Sequence, residues 1–174
     1  MRATSIAAIV LTLAAGPALA AKRTITMNAI DAQGVGQPIG IIEARDTPKG
    51  LALMPKLDGL VPGPHGIHVH QNGNCGPAEQ DGKPVAGLAA GGHFDPHATG
   101  KHRGPWDDGG HLGDLPALSV NGDGSATEML VAPHLKTADL KGRAIVIHAG
   151  ADNYADDPKP LGGGGARVAC GVVR

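Results

Sequence analysis

The chain has 174 residues, with 15 lysines and arginines against 16 aspartates and glutamates and a formal net charge of −1, a balance that argues against a nucleic-acid partner. Hydrophobic residues make up 41% of it, and that share beside so little net charge excludes a disordered chain and suits one compact core. Its 28 glycines and 14 prolines interrupt every window long enough for an amphipathic helix, so strands are the elements to expect.

Arg2, the apolar run from Ile6 to Ala15 and Ala18-Leu19-Ala20 stand in the charged, apolar, small-residue order of a secretory signal peptide. Cleavage is expected after Ala20, giving a signal peptide over 1–20 and one domain over 21–174, bound for the periplasm or the exterior. The apolar run is too short to span a bilayer and nothing later is longer, so no membrane partner is expected.

Strand-like segments then recur between turn signals at Lys22 to Ile30, Pro38 to Arg45, Gly50 to Leu57 and Gly66 to Gln71. In the fourth, alternation puts His68 and His70 on one face and Ile67 and Val69 on the other. Two neighbouring imidazoles make half a metal site. A long connection without strand or helix signals follows from Asn72 to Asp114 and carries His93, His102, His111 and Asp114. Bound metal would supply the order that its Gly, Pro and Asp residues cannot draw from a core. Leu115 to Val120, Ser125 to Val131, Arg143 to Ala149, a shorter connection from Gly150 to Ala166, and Arg167 to Val173 complete eight strands. Such a pattern predicts an antiparallel barrel or sandwich with its function on the two long loops.

Three imidazoles and one carboxylate in His93, His102, His111 and Asp114 suit a closed tetrahedral zinc site. His68, His70 and His148, on or at the ends of strands, favour copper; His93 is needed to complete that set, so it can serve both metals, one through each ring nitrogen. Cys75 and Cys170 are the two cysteines, and in an oxidising compartment they read as one disulfide, with two free thiols as metal ligands the alternative. His65, His97 and His134 read as exposed loop or turn residues, and Asp156 as a solvated charge. Trp106 reads either as part of a subunit interface, which would serve a homodimer, or as the cap of a loop cluster. The glycine run 162–165 lacks the Lys-Ser/Thr pair of a phosphate loop and is read as letting backbone pass close to the site.

Gly66-Ile67-His68-Val69-His70, Gly91-Gly92-His93-Phe94-Asp95-Pro96, Lys101-His102, Gly110-His111-Leu112-Gly113-Asp114-Leu115-Pro116 and Leu161-Gly162-Gly163-Gly164-Gly165-Ala166-Arg167-Val168-Ala169-Cys170-Gly171 resemble, in order, the signatures of the copper/zinc superoxide dismutase family. The resemblance covers essentially the whole mature chain, and the export signal with Gly104-Pro105-Trp106-Asp107-Asp108 makes it most similar to the bacterial, periplasmic branch. It implies an all-β fold, an eight-stranded antiparallel Greek-key barrel (an immunoglobulin-like sandwich), with long metal-binding and electrostatic loops. It further implies one copper on His68, His70, His93 and His148, and one zinc on His93, His102, His111 and Asp114, with His93 as the bridge. Asp152 matches the carboxylate linking His68 to His102, Cys75 and Cys170 the intrasubunit disulfide, and Arg167 the arginine that guides the anion. The implied reaction is dismutation of superoxide to oxygen and hydrogen peroxide, with His93 delivering a proton. A periplasmic protein that stores copper and zinc without turnover is the rival reading.

Overall fold

The computed structural model describes residues 22–174; the expected signal peptide and its cleavage point lie outside them. The eight expected strands are present, with shifted ends. β1 (Lys22–Asp31) runs into β2 (Gly34–Thr47) through a turn in which Asp31 Oδ1 accepts the N–H groups of Gln33 and Gly34 at 2.8 and 2.9 Å. β3 (Gly50–Leu57) pairs with β2, and β4 (Gly63–His65) and β5 (Ile67–His70) are one strand bent at Gly66.

The connection after β5 is more regular than its composition suggests. β6 (Ala78–Gln80) and β7 (Lys83–Val85) form a hairpin, followed by a 3-10 turn at Leu88–Ala90. Its tip is Asp81-Gly82, with φ of 53° and 72°, the dipeptide whose left-handed backbone matches the twist of a two-residue hairpin. The signal was therefore present in the sequence. β8 (Leu118–Val120), β9 (Leu130–Ala132), β10 (Ala144–His148) and β11 (Arg167–Val172) follow.

Seven strands form one antiparallel sheet in the order β5-β10-β11-β1-β2-β3-β9, and β4 pairs with β8. The Leu57–Ala126 bridge joins β3 to the chain entering β9, and the Asn121 N–H to Ser125 O bond (2.8 Å) joins that chain to β8. The sheet thus closes on itself. With β4 and β5 counted as one strand, eight strands circle the barrel with Greek-key connections, and closure removes the open edges a curled sheet would otherwise present.

Alternation decides what each face carries. Ile67 and Val69 of β5 and Ile145 and Ile147 of β10 fill the barrel with Ile25, Met27, Leu51 and Leu53. Ala144 and Val146 face outward, into a smaller cluster with Ile30, Cys75, Ala90 and Cys170. Cys75 and Cys170 are bonded, with Cα atoms 5.7 Å apart across 95 residues, so the disulfide pins the long loop to β11. The remaining outward positions on these two strands are His68, His70 and His148, with His68 opposite Val146 and His70 opposite Ala144.

Candidate metal centre

The long loop folds back over the outer face of β5. Val69 donates its N–H to Gly113 O, Phe94 donates to Val69 O, and Gly113 donates to Phe94 O, each at 2.8 Å. Those bonds lay His93 beside His70 and Asp114 beside His68 as isolated bridges. His148 is held from the other side by its own N–H to Gly66 O at 2.8 Å. Five of the seven resemblance-derived ligand positions, His68, His70, His93, Asp114 and His148, follow from β5, β10 and the two loop segments next to β5.

Backbone carbonyls set the tautomers of two rings, because a carbonyl only accepts. His70 Nδ1 donates to Gly91 O (2.9 Å) and His148 Nδ1 to Gly165 O (3.1 Å). Their Nε2 atoms, now both bare lone pairs, face each other at 3.4 Å. His68 Nε2 donates to Asp152 Oδ2 at 2.8 Å, which frees its Nδ1. Ligand-type atoms of His68, His70, His93 and His148 lie within 4.8 Å of one another.

The second set converges on Asp114. Its Oδ1 lies 3.0 Å from His93 Nδ1, 3.0 Å from His102 Nδ1 and 3.3 Å from His111 Nδ1, while Oδ2 accepts the N–H groups of Arg103 and Gly104 at 3.2 and 3.3 Å. His68 is also close to this set, but with its Nε2 taken by Asp152 its free nitrogen goes with the first. His93 belongs to both, with Nδ1 toward Asp114 and its ring stacked on His68 at 3.8 Å between centroids.

The residues fit bound cations. Among the described residues, the buried side-chain nitrogens and oxygens lacking a hydrogen-bond partner are His68 Nδ1, His93 Nε2, His102 Nδ1 and His111 Nδ1. Leaving such atoms unsatisfied costs roughly 1–3 kcal/mol each, and every one points into one of the two sets. Neutral imidazole nitrogens suit copper, and three of them with a carboxylate suit zinc.

Electrostatics keep the four copper-type donors neutral and so in ligating form. Burial pushes His68 down to about 3 and His148 down to about 4, and also lowers His70 and His93. His102 goes the other way: burial opposes its charge, but the Asp114 and Asp152 carboxylates on its two sides raise it to about 9. Both carboxylates, although buried, are held well below the ordinary range by those rings.

Asp152 lies between the two sets, taking His68 Nε2 on Oδ2 and His102 Nε2 on Oδ1 at 2.8 and 2.7 Å. The glycine run makes room for it. Gly162 adopts φ 71°, and a β-carbon there would strike the Asp152 carboxylate and sit 2.8 Å from His102 Nε2. Arg167 stands opposite His148 in the β10–β11 register. Its half-buried guanidinium donates to Gly87 O and Gly91 O at 2.6 and 2.7 Å, so the carbonyl that orients His70 also orients Arg167.

Sequence reasoning missed several supports. The carbonyls of Gly91 and Gly165 have no side-chain signal at all. Asp156, read as a solvated charge, accepts the His102 N–H on Oδ2 (2.9 Å) and the Leu161 N–H on Oδ1 (3.1 Å). His65 is buried in β4 rather than exposed, its ring nitrogens 2.7 Å from His148 O and Val61 O, because the bend at Gly66 turns it under β10. His97 and His134 are exposed as expected, His134 beside Asp108 at 3.0 Å, and Trp106 leans edge-on against Tyr154 at 5.3 Å.

The profile of the copper/zinc superoxide dismutase family matches residues 39–173. A curated relative, Superoxide dismutase [Cu-Zn] of Escherichia coli K12, is 52% identical over the full length of both chains. The solved Cu/Zn superoxide dismutase from Brucella abortus is 50% identical, covers 88% of this chain and all of its own, and superposes with a TM-score of 0.86. The monomeric copper, zinc superoxide dismutase from Salmonella enterica is 55% identical with the same coverage and a TM-score of 0.79. The chain belongs to the copper/zinc superoxide dismutase family.

Proposed function

We infer that this protein is a copper- and zinc-dependent superoxide dismutase: two superoxide ions and two protons give one oxygen and one hydrogen peroxide. The observation that carries the reading is His93, one imidazole that belongs both to the four copper-type donors on the outer face of the barrel and to an Asp114-centred zinc-type set. On this reading His68, His70, His93 and His148 hold one copper, and His93, His102, His111 and Asp114 hold one zinc. Copper supplies the one-electron oxidation and reduction, and zinc supplies fixed positive charge.

The chain's own residues orient and protonate. Asp152 holds His68 and His102 in one tautomer each, so movement of either ring is felt at both sets. With its Nδ1 turned to Asp114, His93 uses Nε2 to take up a proton and pass it to the departing peroxide. Arg167 attracts the anion: the protein carries a small net negative charge, so capture depends on a local positive field, and its two backbone bonds keep the guanidinium beside the His70–His148 side. Storage without turnover leaves that arrangement unused.

Export through the first twenty residues places the protein in the periplasm, where superoxide made outside the cytoplasm is met. A homodimer formed through exposed Trp106 is the assembly to test, since the Salmonella enterica relative is described as monomeric; light scattering of the mature protein distinguishes the two. The deciding experiment for function is metal analysis with a superoxide-consumption assay. One copper and one zinc per chain with fast turnover are expected; both metals bound without superoxide-dependent turnover would leave storage.

A further inference from the structure

Tyr154, in the loop after β10, bonds directly to one of the carboxylates that flank His102, Asp152, and reaches the other, Asp114, through Gly104. Its backbone N–H donates to Asp152 Oδ1 at 2.8 Å, the same oxygen that accepts from His102 Nε2. Its hydroxyl oxygen accepts the Ala117 N–H at 2.9 Å, three residues beyond Asp114. Its ring covers Gly104, whose N–H donates to Asp114 Oδ2. Gly104 adopts φ 74°, and a β-carbon there would come within 2.8 Å of the Tyr154 ring; Trp106 closes the outer side edge-on.

Tyr154 itself sits at φ 57°, a left-handed conformation that costs a non-glycine residue and persists where surroundings over-determine it. Here the surroundings are the hydroxyl bond, the ring contact and the N–H bond together. We propose that Tyr154 is a positioning residue for the zinc-side set: it acts as a strut that holds Asp152 and Asp114 at fixed separation, with His102 between them, its Nε2 bonded to Asp152 and its free Nδ1 turned toward Asp114. The strut ties the loop after β10 to the long loop on both chain sides of Asp114. It rests on the metal assignment above.

The test uses the mature protein loaded with Co(II) in place of zinc, whose visible bands report ligand orientation, together with zinc release to a chelator. Tyr154→Ala removes ring and hydroxyl; Tyr154→Phe keeps the ring on Gly104 and loses the bond to Ala117. The Ala variant should shift the Co(II) bands and release zinc about tenfold faster, at the low end of what outer supports of metal ligands contribute, and the Phe variant should move both in the same direction by less. A merely structural role would lower the melting temperature of metal-free and loaded protein alike and leave the bands in place. Unchanged bands and release in the Ala variant, or in the Phe variant should Ala fail to fold, overturn the proposal. Wild-type protein that takes up no Co(II) would instead remove the metal assignment itself.

Discussion

At the residue scale, His93 and Arg167 separate the chemistry from the scaffold. His93 is buried between the two sets, so His93→Ala should change the Cu(II) spectrum and weaken zinc binding together while His68, His70 and His148 still hold copper. An unaltered spectrum with unaltered zinc affinity would rule out the bridge. Arg167→Ala should slow superoxide consumption by roughly tenfold and flatten its fall with added salt, since fields of this kind are screened over about 8–10 Å at ordinary ionic strength. Arg167→Glu should do more damage, because it repels the anion. Rates across ionic strength with metal content checked in each variant settle it: equal slopes for wild type and Arg167→Glu would end the guiding role. Both residues were legible in the sequence, His93 because two incomplete ligand sets needed it and Arg167 by resemblance alone. What holds them was not, because Gly87 and Gly91 contribute carbonyls, and every residue has one.

At the scale of elements, the disulfide and the loop it anchors act as one unit. Cys75 packs with Ala86 and Ala90 in the segment that carries Gly87 and Gly91, and Cys170 lies three residues past Arg167 on the same strand, β11. Reducing the pair should therefore lower stability, typically by about 2–5 kcal/mol, and should also disorder the carbonyls that orient His70 and Arg167. Denaturant midpoint and superoxide turnover should fall together, and full activity in protein shown to carry two free thiols would break the link. The strands themselves were readable from alternation, whereas the β6–β7 hairpin was passed over although Asp81-Gly82 marks it. Polar composition in the surrounding loop concealed a local turn signal that does not depend on hydrophobicity.

For the molecule as a whole, the buried site makes the stability of the metal-free protein depend on pH in a calculable direction. His68 and His148 titrate near 3 and 4 in the fold and near 6.5 unfolded. Between those values the unfolded chain binds more protons, so stability falls as pH drops from about 6.5 toward 4. His102, raised to about 9, stabilises the fold fully below about 6.5, and its contribution is lost as pH rises through its folded value. Metal-free protein should thus be most stable between about pH 6 and 7, with bound metal raising stability near neutral pH and progressively less as pH falls, because protons compete for the ligand nitrogens. Urea midpoints across pH, with and without metal, check it; a metal-free midpoint that is flat from pH 4 to 9 would contradict the burial of these rings.

Taken by itself, the sequence determined the strand alternation, the outward histidines of β5, the residue types of the candidate ligands and the pairing available to two cysteines, all of which follow from local spacing or from residue chemistry. Tertiary structure alone decided which nitrogen of each ring is free, because tautomers depend on carbonyls and carboxylates brought from up to 84 residues away, as Asp152 is to His68. It also decided that His65 is buried, that Asp156 pins His102, and that Tyr154 spans two loops. Such roles arise only when barrel closure lays the loops after β5 and β10 against one another, a long-range event with no periodicity in the chain to announce it.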